Sequence, residues 1–322
     1  MDLVNFTQEL FGPGVAGFME LVTDLGGPIG WLVLLHLIFI FAGIEKGLQL
    51  TIVGALALIT NTWLKVLLAQ PRPFWIASDI EALRTTGGFG MPSGHAQGAV
   101  AFWGYLSHLT YPKAWYVAMG FAVFAVLTGL TRIYLGVHSA AQVLVGLTLG
   151  LVCLLAVIKL WPMAVARISS WSLQKQSIVL AGVTGALIVI DQLVIWIHSS
   201  FVVDPTWLNN AQATADRLGT GESFKSQEDL SLASGSSSGL VLMITGYLAI
   251  GICNQRWTVT LQGWVDRLLS VIVMLLFTAL FLWLASSIAE QIDHLAVTGL
   301  FALAYPICCV YGAMLTIQKL RN

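Results

Sequence analysis

The chain has 322 residues, 57% of them hydrophobic and 10% charged, with a mean hydropathy of +0.83. Soluble domains carry roughly 25% charged residues, so the composition excludes a soluble globular protein and leaves a helical bundle in lipid. A net charge of −1 gives no electrostatic footprint for nucleic acid. Cys153, Cys253, Cys308 and Cys309 lie in apolar runs at spacings that suit neither a disulfide scaffold nor a zinc site.

In chain order, residues 1–27 mix Phe6, Leu10, Phe11, Phe18, Met19 and Leu21 with glycines and acids, which predicts an N-terminal interfacial segment. Nine apolar runs then approach the roughly 17–25 residues a membrane helix needs: 28–44, 49–68, 93–110, 114–131, 138–160, 177–198, 237–253, 268–289 and 296–317. The predicted fold is an all-α integral membrane protein of about nine transmembrane helices. Its N-terminus is outside, its C-terminus is cytoplasmic, and its catalytic core comes from spans two to five. Orientation rests on the excess of Lys and Arg on the cytoplasmic side. In this topology Lys46, Lys113, Lys159, Arg167, Lys175, Arg256, Arg267, Lys319 and Arg321 face the cytoplasm, while Lys65, Arg72, Arg84, Arg132, Arg217 and Lys225 face outside. The expected organisation is the segment 1–27, a core at 28–160, and a four-helix C-terminal membrane extension at 161–322 with an extramembrane loop at about 199–238.

Within that loop, Asp204 before Pro205 reads as an N-cap and first helical residue, with Gly219 as the stop, predicting a surface helix Pro205–Leu218. "SLASGSSSG" at 231–239 reads as flexible linker. Gly146 and Gly150 form a small-xxx-small pair suited to close helix packing. Trp31, Trp63, Trp75, Trp115 and Trp161 fall at span ends and read as an aromatic belt against membrane lipids.

The polar residues of the spans are not scattered. Lys65 lies near the outer end of span two, Pro71–Pro73 follows, Pro92–His95 opens span three, Arg132 closes span four and His138 opens span five. All reach one outer face. A charge at the bilayer centre costs roughly 2.5–3.5 kcal/mol on insertion scales, so such residues read as functional. Three cations, a serine hydroxyl, a glycine amide at a helix start and two histidines suit phosphoryl transfer, whose transition state spreads negative charge over three oxygens. Arginine binds phosphate in bidentate fashion and lysine as a compact charge. Ser93 and Gly94 sit where free helix amides favour an anion, and Pro92 suits the helix start. One histidine can attack phosphorus while the other protonates the leaving oxygen. No acidic cluster for a metal stands at that face, so the cations take the charge role, and no cofactor is expected. Asp79, Glu81 and Arg84, in the loop between the first two groups, are candidates for substrate recognition. Asp191 in span six is expected to pair with a polar group of the bundle or to reach substrate hydroxyls.

"KVLLAQPRP" (Lys65–Pro73), "PSGH" (Pro92–His95) and "TRIYLGVH" (Thr131–His138) resemble the three signature motifs of the type 2 phosphatidic acid phosphatase superfamily. The resemblance implies that Lys65, Arg72, Ser93, Gly94 and Arg132 hold the phosphate. It implies that His138 is the nucleophile, forming a phosphohistidine, and that His95 is the general acid and then the base that activates water. Two positions depart from the common pattern: Thr131 stands where a serine is usual, and Gln142 where most members have an aspartate. As an i+4 neighbour, Gln142 can accept from the His138 ring and orient it without adding charge. On that reading an aspartate at 142 would be tolerated.

Glucose-6-phosphatases also carry a glutamine at this place. The resemblance therefore implies a glucose-6-phosphatase-like branch, a bacterial homologue, with a site facing the periplasm from the inner membrane (the lumen of the endoplasmic reticulum in a eukaryote). The expected activity is metal-independent hydrolysis of a phosphate monoester, foremost a sugar phosphate such as glucose 6-phosphate. The alternatives are a lipid phosphatase acting on phosphatidic acid-type or polyprenyl (di)phosphate substrates, and a non-catalytic phosphate-binding or transport protein. Vanadate is the expected inhibitor.

Overall fold

The computed structural model describes residues 3–77, 79–222, 224, 238–256, 259–289 and 302–321. Every regular element among them is helical: α1 (Leu3–Phe11), α2 (Ala16–Leu25), α3 (Pro28–Phe41), α4 (Ile44–Leu68), α5 (Pro73–Ile76), α6 (Gly94–Thr110), α7 (Trp115–Tyr134), α8 (Ala140–Ile168), α9 (Leu173–His198), α10 (Pro205–Leu218), α11 (Ser238–Arg256), α12 (Gly263–Ala289) and α13 (Ala302–Leu320), with a 3-10 turn at Pro13–Val15. Each of the nine apolar runs falls on a helix; residue 237 of the seventh and 296–301 of the last lie outside the described residues. Among the described residues, seven helices are long and apolar enough to cross a membrane, or up to eight if a bent pair counts as one span. The difference from nine has two sources. Helix α3, with 14 residues, rises only about 21 Å at 1.5 Å per residue, short of a ~30 Å hydrocarbon core. Gly26 and Gly27 separate it from α2. Helix α6, with 17 residues, sits at the lower bound for a span.

The chain forms two compact units. The first comprises Met1–Trp31, Leu56–Ala156 and Asp191–Ser236 and carries every candidate site residue. Its core gathers Phe74, Trp75, Phe89, Tyr134, Leu135 and Val137 with Val203, Ala211 and Phe224. The Gly146/Gly150 pair lets α8 lie directly on α6. A Cβ at Gly146 would stand 2.6 Å from the Ser93 carbonyl oxygen, and one at Gly150 2.4 Å from that of Gln97, so only glycine admits this approach. The predicted surface helix is α10. The Asp204 side chain accepts from Thr206 N at 2.8 Å, Pro205 is the first helical residue and Gly219 closes it at φ 60°. Its inner face packs on α5, where Asn210 Nδ2 donates to Trp75 O at 2.9 Å, and on the loop that follows, where Arg217 Nη2 donates to Ala82 O at 2.5 Å. The predicted linker lies outside the described residues except for Ser238 and Gly239, which begin α11.

Two tryptophans expected in a lipid-facing belt are core residues instead. Trp75 is fully buried, and Trp31 stacks on Phe102 with centroids 5.3 Å apart. Both are enclosed by tertiary packing that a position near a span end does not reveal. Trp115, 60% exposed, keeps the belt character. Asp191 is buried and accepts from Trp63 Nε1 at 3.1 Å, a polar partner within the bundle.

The second unit, Leu32–Ala55 with Val157–Ile190 and Ser237–Asn322, holds a buried and a part-buried polar pair across helices. His36 Nε2 meets the Tyr247 hydroxyl at 2.7 Å, and Thr184 meets Thr245 at 2.7 Å. The backbone of α13 widens to a π-helix over Pro306–Tyr311, where proline supplies no amide hydrogen to the ladder.

Candidate active site

The last turn of α4 carries Lys65, and the chain then turns to place Arg72 as the extended residue before α5, at φ −84° and ψ 157°. Arg72 is buried and its guanidinium is held by carbonyls of two loops. Nε donates to Gly88 O at 2.7 Å, Nη2 to Gly87 O at 3.0 Å and Nη1 to Val137 O at 3.0 Å, with the Trp75 ring 5.8 Å away. Lys65 Nζ donates to Phe89 O. The glycines of "GGFG" permit this wrapping: Gly88 has φ 74°, and a Cβ on Gly90 would fall 2.4 Å from Gln142 Nε2.

Helix α6 begins at Gly94, so the helix start expected at Pro92 lies two residues further on. Pro92 instead precedes the N-cap, and its carbonyl accepts from Asn61 Nδ2 at 3.2 Å. The N-cap is Ser93, whose side chain makes no cap bond; its Oγ is buried and has no hydrogen-bond partner. The amides of Gly94, His95 and Ala96 open the helix, where no intrahelical acceptor exists for them. Ser93 N donates to Gln142 O at 3.0 Å, which ties the second motif to the third.

Arg132 lies in the last turn of α7, buried, with Nη1 donating to Thr23 Oγ1 at 2.8 Å and with Nε unpartnered. The amides of Val137 and His138 both donate to Arg132 O at 3.2 Å, closing a turn in which Gly136 has φ 73°. His138 thus precedes α8 and is not part of it. Ser139 and Gln142 form a reciprocal helix start: Gln142 N donates to Ser139 Oγ at 3.3 Å, and Ser139 N donates to Gln142 Oε1 at 3.2 Å.

This capping pair sets the tautomer of the histidine. Oε1 of Gln142 accepts from a backbone amide, and Nε2 donates to Pro71 O at 2.8 Å, so the amide has one orientation only. His138 Nδ1, 3.0 Å from Oε1, must then carry the ring proton and donate it. His138 Nε2 holds the lone pair, and Arg72 Nη1 donates to it at 2.9 Å. Burial, with the charges of Arg72, Lys65 and Arg132 adding to it, holds His138 well below the ordinary histidine value, against an opposing pull from the Gln142 hydrogen bond. The ring is neutral at neutral pH.

Lys65, Arg72, Ser93, Gly94, Arg132, His138 and Gln142 are therefore gathered around one region of the first unit, and His95 joins them on the first turn of α6. Among the described residues no carboxylate is ion-paired with Lys65, Arg72 or Arg132, and no three His, Cys, Asp or Glu converge as metal ligands. Buried cations with no carboxylate in direct contact are costly, and an oxyanion seated among them would offset that cost. The unpartnered Ser93 Oγ and Arg132 Nε are donors suited to it.

The N-terminal segment supplies groups that the motifs do not contain. Besides Thr23 on Arg132, Asp24 pairs with Arg84 at 2.7 Å, and a Cβ on Gly27 would stand 2.8 Å from His95 Nε2. Gln8 Nε2 donates to Tyr134 O at 2.8 Å and the Tyr134 hydroxyl to Gly12 O at 2.8 Å, fastening α1 to the third motif. Thr23→Val keeps the shape but leaves Arg132 Nη1 without its acceptor. Losing a hydrogen bond to a charged group costs roughly 1.5–3 kcal/mol, so the variant should lose about tenfold or more in kcat/KM, chiefly through KM; an unchanged KM would contradict the positioning of Arg132 by Thr23.

Residues 46–166 match the family model described as PAP2 superfamily. The undecaprenyl-diphosphatase of Sulfolobus acidocaldarius is 32% identical over 154 residues, covering 46% of this chain and 70% of that protein. Phosphatidylglycerophosphatase B of Bacillus subtilis is 31% identical over 152 residues, covering 43% of this chain and 71% of that protein. The crystal structure of Aquifex aeolicus LpxE aligns over 49% of this chain and 93% of its own, at 27% identity and a TM-score of 0.45. Two relatives above 30% identity, each covered over more than two thirds of its length, together with the motif geometry, lead to one conclusion: this multi-pass membrane chain belongs to the PAP2 superfamily.

Proposed function

We propose that the protein is a membrane phosphatase that removes a terminal phosphate from a phosphorylated lipid through a phosphohistidine at His138, without a divalent metal. The observation that carries the chemistry is the line Gln142 Oε1, His138 and Arg72 Nη1, with separations of 3.0 Å and 2.9 Å at the two ring nitrogens. It fixes the tautomer and directs the basic nitrogen at the cations. Phosphate oxygens, more strongly accepting than the imidazole, draw the Arg72 N–H away and free the lone pair. Nε2 then attacks phosphorus as the bond to the leaving oxygen breaks, and His95, which takes up a proton once the phosphate's negative charge offsets the cations around it, gives that oxygen its proton. In the second step neutral His95 takes a proton from water, whose oxygen attacks phosphorus while the P–N bond breaks. Inorganic phosphate leaves, with His138 neutral and His95 protonated again. Lys65, Arg72 and Arg132 offset the charge of the transition state, with Ser93 Oγ and the amide of Gly94 as further donors.

The lipid substrate is supported by the relatives, named for a polyprenyl diphosphate and for a phosphatidylglycerol phosphate. By name, both of those substrates leave a second phosphate on the departing lipid. A sugar phosphate, the foremost expectation from the glutamine of the third motif, is the second reading. Its specific support is Gln142 and the enclosure of the site, where Ser93, Arg132 and His138 are no more than 2% exposed. The proposed location is the inner membrane with the site facing the periplasm.

The test is phosphate release by purified protein from phosphatidic acid, polyprenyl diphosphate and glucose 6-phosphate in excess EDTA. Lipid turnover that survives chelation and is inhibited by vanadate is expected. Turnover of glucose 6-phosphate alone would reverse the choice of substrate, and activity lost in EDTA but restored by magnesium would overturn the metal-independent mechanism.

A further inference from the structure

The C-terminal end of α2 and the turn that follows it touch three groups of the site in succession. Thr23 accepts from Arg132 Nη1 at 2.8 Å, Asp24 pairs with Arg84 Nη1 at 2.7 Å, and Gly27, one turn after Thr23, lies against His95 Nε2. Adjacent residues of one helix thus hold a buried arginine and a half-exposed one, and the glycine beyond them lies against the second histidine. Arg84 is 41% exposed and Asp24 58%, so this pair stands at the accessible edge of the site. The Arg84 charge acts on both His95 and Arg132. Neither the three motifs nor the catalytic steps use it.

The side of the site next to His95 is where the leaving oxygen departs, so a group beside His95 contacts the leaving group and not the transferred phosphate. A guanidinium there suits a leaving group that is itself anionic, by bidentate hydrogen bonds that an uncharged alcohol cannot accept. We infer that Arg84 is a specificity-determining residue that binds a second phosphate on the leaving group, with Asp24 occupying it until that phosphate arrives. The inference rests on the lipid phosphatase reading and narrows it to substrates of the diphosphate type. The bond broken is that between the terminal phosphorus and the bridging oxygen. The bridging oxygen leaves with the inner phosphate, takes its proton from His95 and keeps its remaining charge against Arg84. Asp24 gives the pair its selectivity: a weak acceptor does not displace a carboxylate from an arginine, whereas a phosphate does.

The experiment has a binding arm and a turnover arm. In the binding arm, calorimetric titration of inorganic diphosphate and inorganic phosphate into detergent-solubilised protein gives a preference ratio. Arg84→Gln should lower it roughly tenfold or more, Arg84→Lys should lower it less, and Asp24→Asn should raise it, since Arg84 then has no competitor. A ratio in Arg84→Gln within twofold of wild type, or a fall in Asp24→Asn as large as that in Arg84→Gln, would overturn the inference. In the turnover arm, kcat/KM for farnesyl diphosphate relative to farnesyl monophosphate should fall in Arg84→Gln by the same order. Wild-type protein that releases phosphate from neither farnesyl substrate would count against the lipid reading, while the binding ratio still decides the role of Arg84.

Discussion

His138→Ala is expected to abolish turnover, with a fall of roughly 10⁴-fold or more, the scale seen when a nucleophile acting as one unit with its partners is removed. The reason lies in how the ring is held. Its Nδ1 proton is committed to Gln142 Oε1, its Nε2 lone pair faces Arg72 Nη1, and its backbone amide donates to Arg132 O. No other histidine among the described residues has a ring nitrogen hydrogen-bonded to one of the three cations. After a substrate pulse and denaturation, wild-type protein should carry base-stable, acid-labile phosphate, and His138→Ala should carry none. Because burial and the neighbouring cations hold His138 well below the ordinary histidine value, the neutral, attacking form persists as pH falls through 6.5. Phosphoenzyme formation in a single turnover should therefore continue at pH 6. Labelling that survives in His138→Ala would remove the nucleophile assignment, and a burst that is lost with a midpoint near 6.5 would contradict the electrostatic account of it.

What the sequence makes legible follows from how local each feature is. Helices are legible because an apolar run in lipid has to satisfy its backbone internally, and α10 because Asp204, Pro205 and Gly219 act within one turn of its ends. The approach of α8 to α6 is legible in Gly146 and Gly150, since close packing demands small residues at that spacing. The length of α3 is not: its apolar run continues to residue 44, but Gly26, Gly27 and Gly43 break the helix at both ends, and only the folded chain shows where. Gln142 shows a signal that was present and is easily passed over. The spacing Ser139-x-x-Gln142 is a capping-box signature, and it places His138 before the helix, where a simple i, i+4 reading puts both residues on one helical face. Thr23, Asp24 and Gly27 carry no local signal at all. Their link to Arg132, Arg84 and His95 spans 60 residues or more of chain and arises from the packing of α2 on α7. The burial of Trp75 is of the same tertiary kind.

Replacing Gln142 is the second change with a large expected effect, and the structure alters what each replacement should do. A glutamine viewed only as an acceptor for His138 could be exchanged for aspartate. Here the side chain makes three bonds: it accepts from His138 Nδ1 at 3.0 Å and Ser139 N at 3.2 Å, and it donates to Pro71 O at 2.8 Å. Aspartate is one methylene shorter and cannot donate, so it fails both the reach to His138 and the contact with Pro71. Glutamate keeps the reach and both acceptor bonds but sets a carboxylate against the Pro71 carbonyl. Leucine keeps the volume and loses all three bonds. A buried donor left without a partner costs roughly 1–3 kcal/mol, about one to two powers of ten in rate, so kcat should fall about 10- to 100-fold in Gln142→Leu. Gln142→Asp should fall nearly as far, and Gln142→Glu least. The glutamate variant also carries a signature that mere structural damage does not. A carboxylate beside Nδ1 favours the protonated ring and raises its pKa, so the neutral nucleophile is lost at a higher pH and the acid limb of kcat/KM shifts upward. Correctly folded protein, judged by a single symmetric peak on size exclusion in detergent, is required of each variant. Wild-type kcat in Gln142→Leu would show that Gln142 does not orient His138. An acid limb unmoved in an active Gln142→Glu would show that Nδ1 does not face residue 142 during turnover, and the assignment of Nε2 as the attacking atom would fall with it.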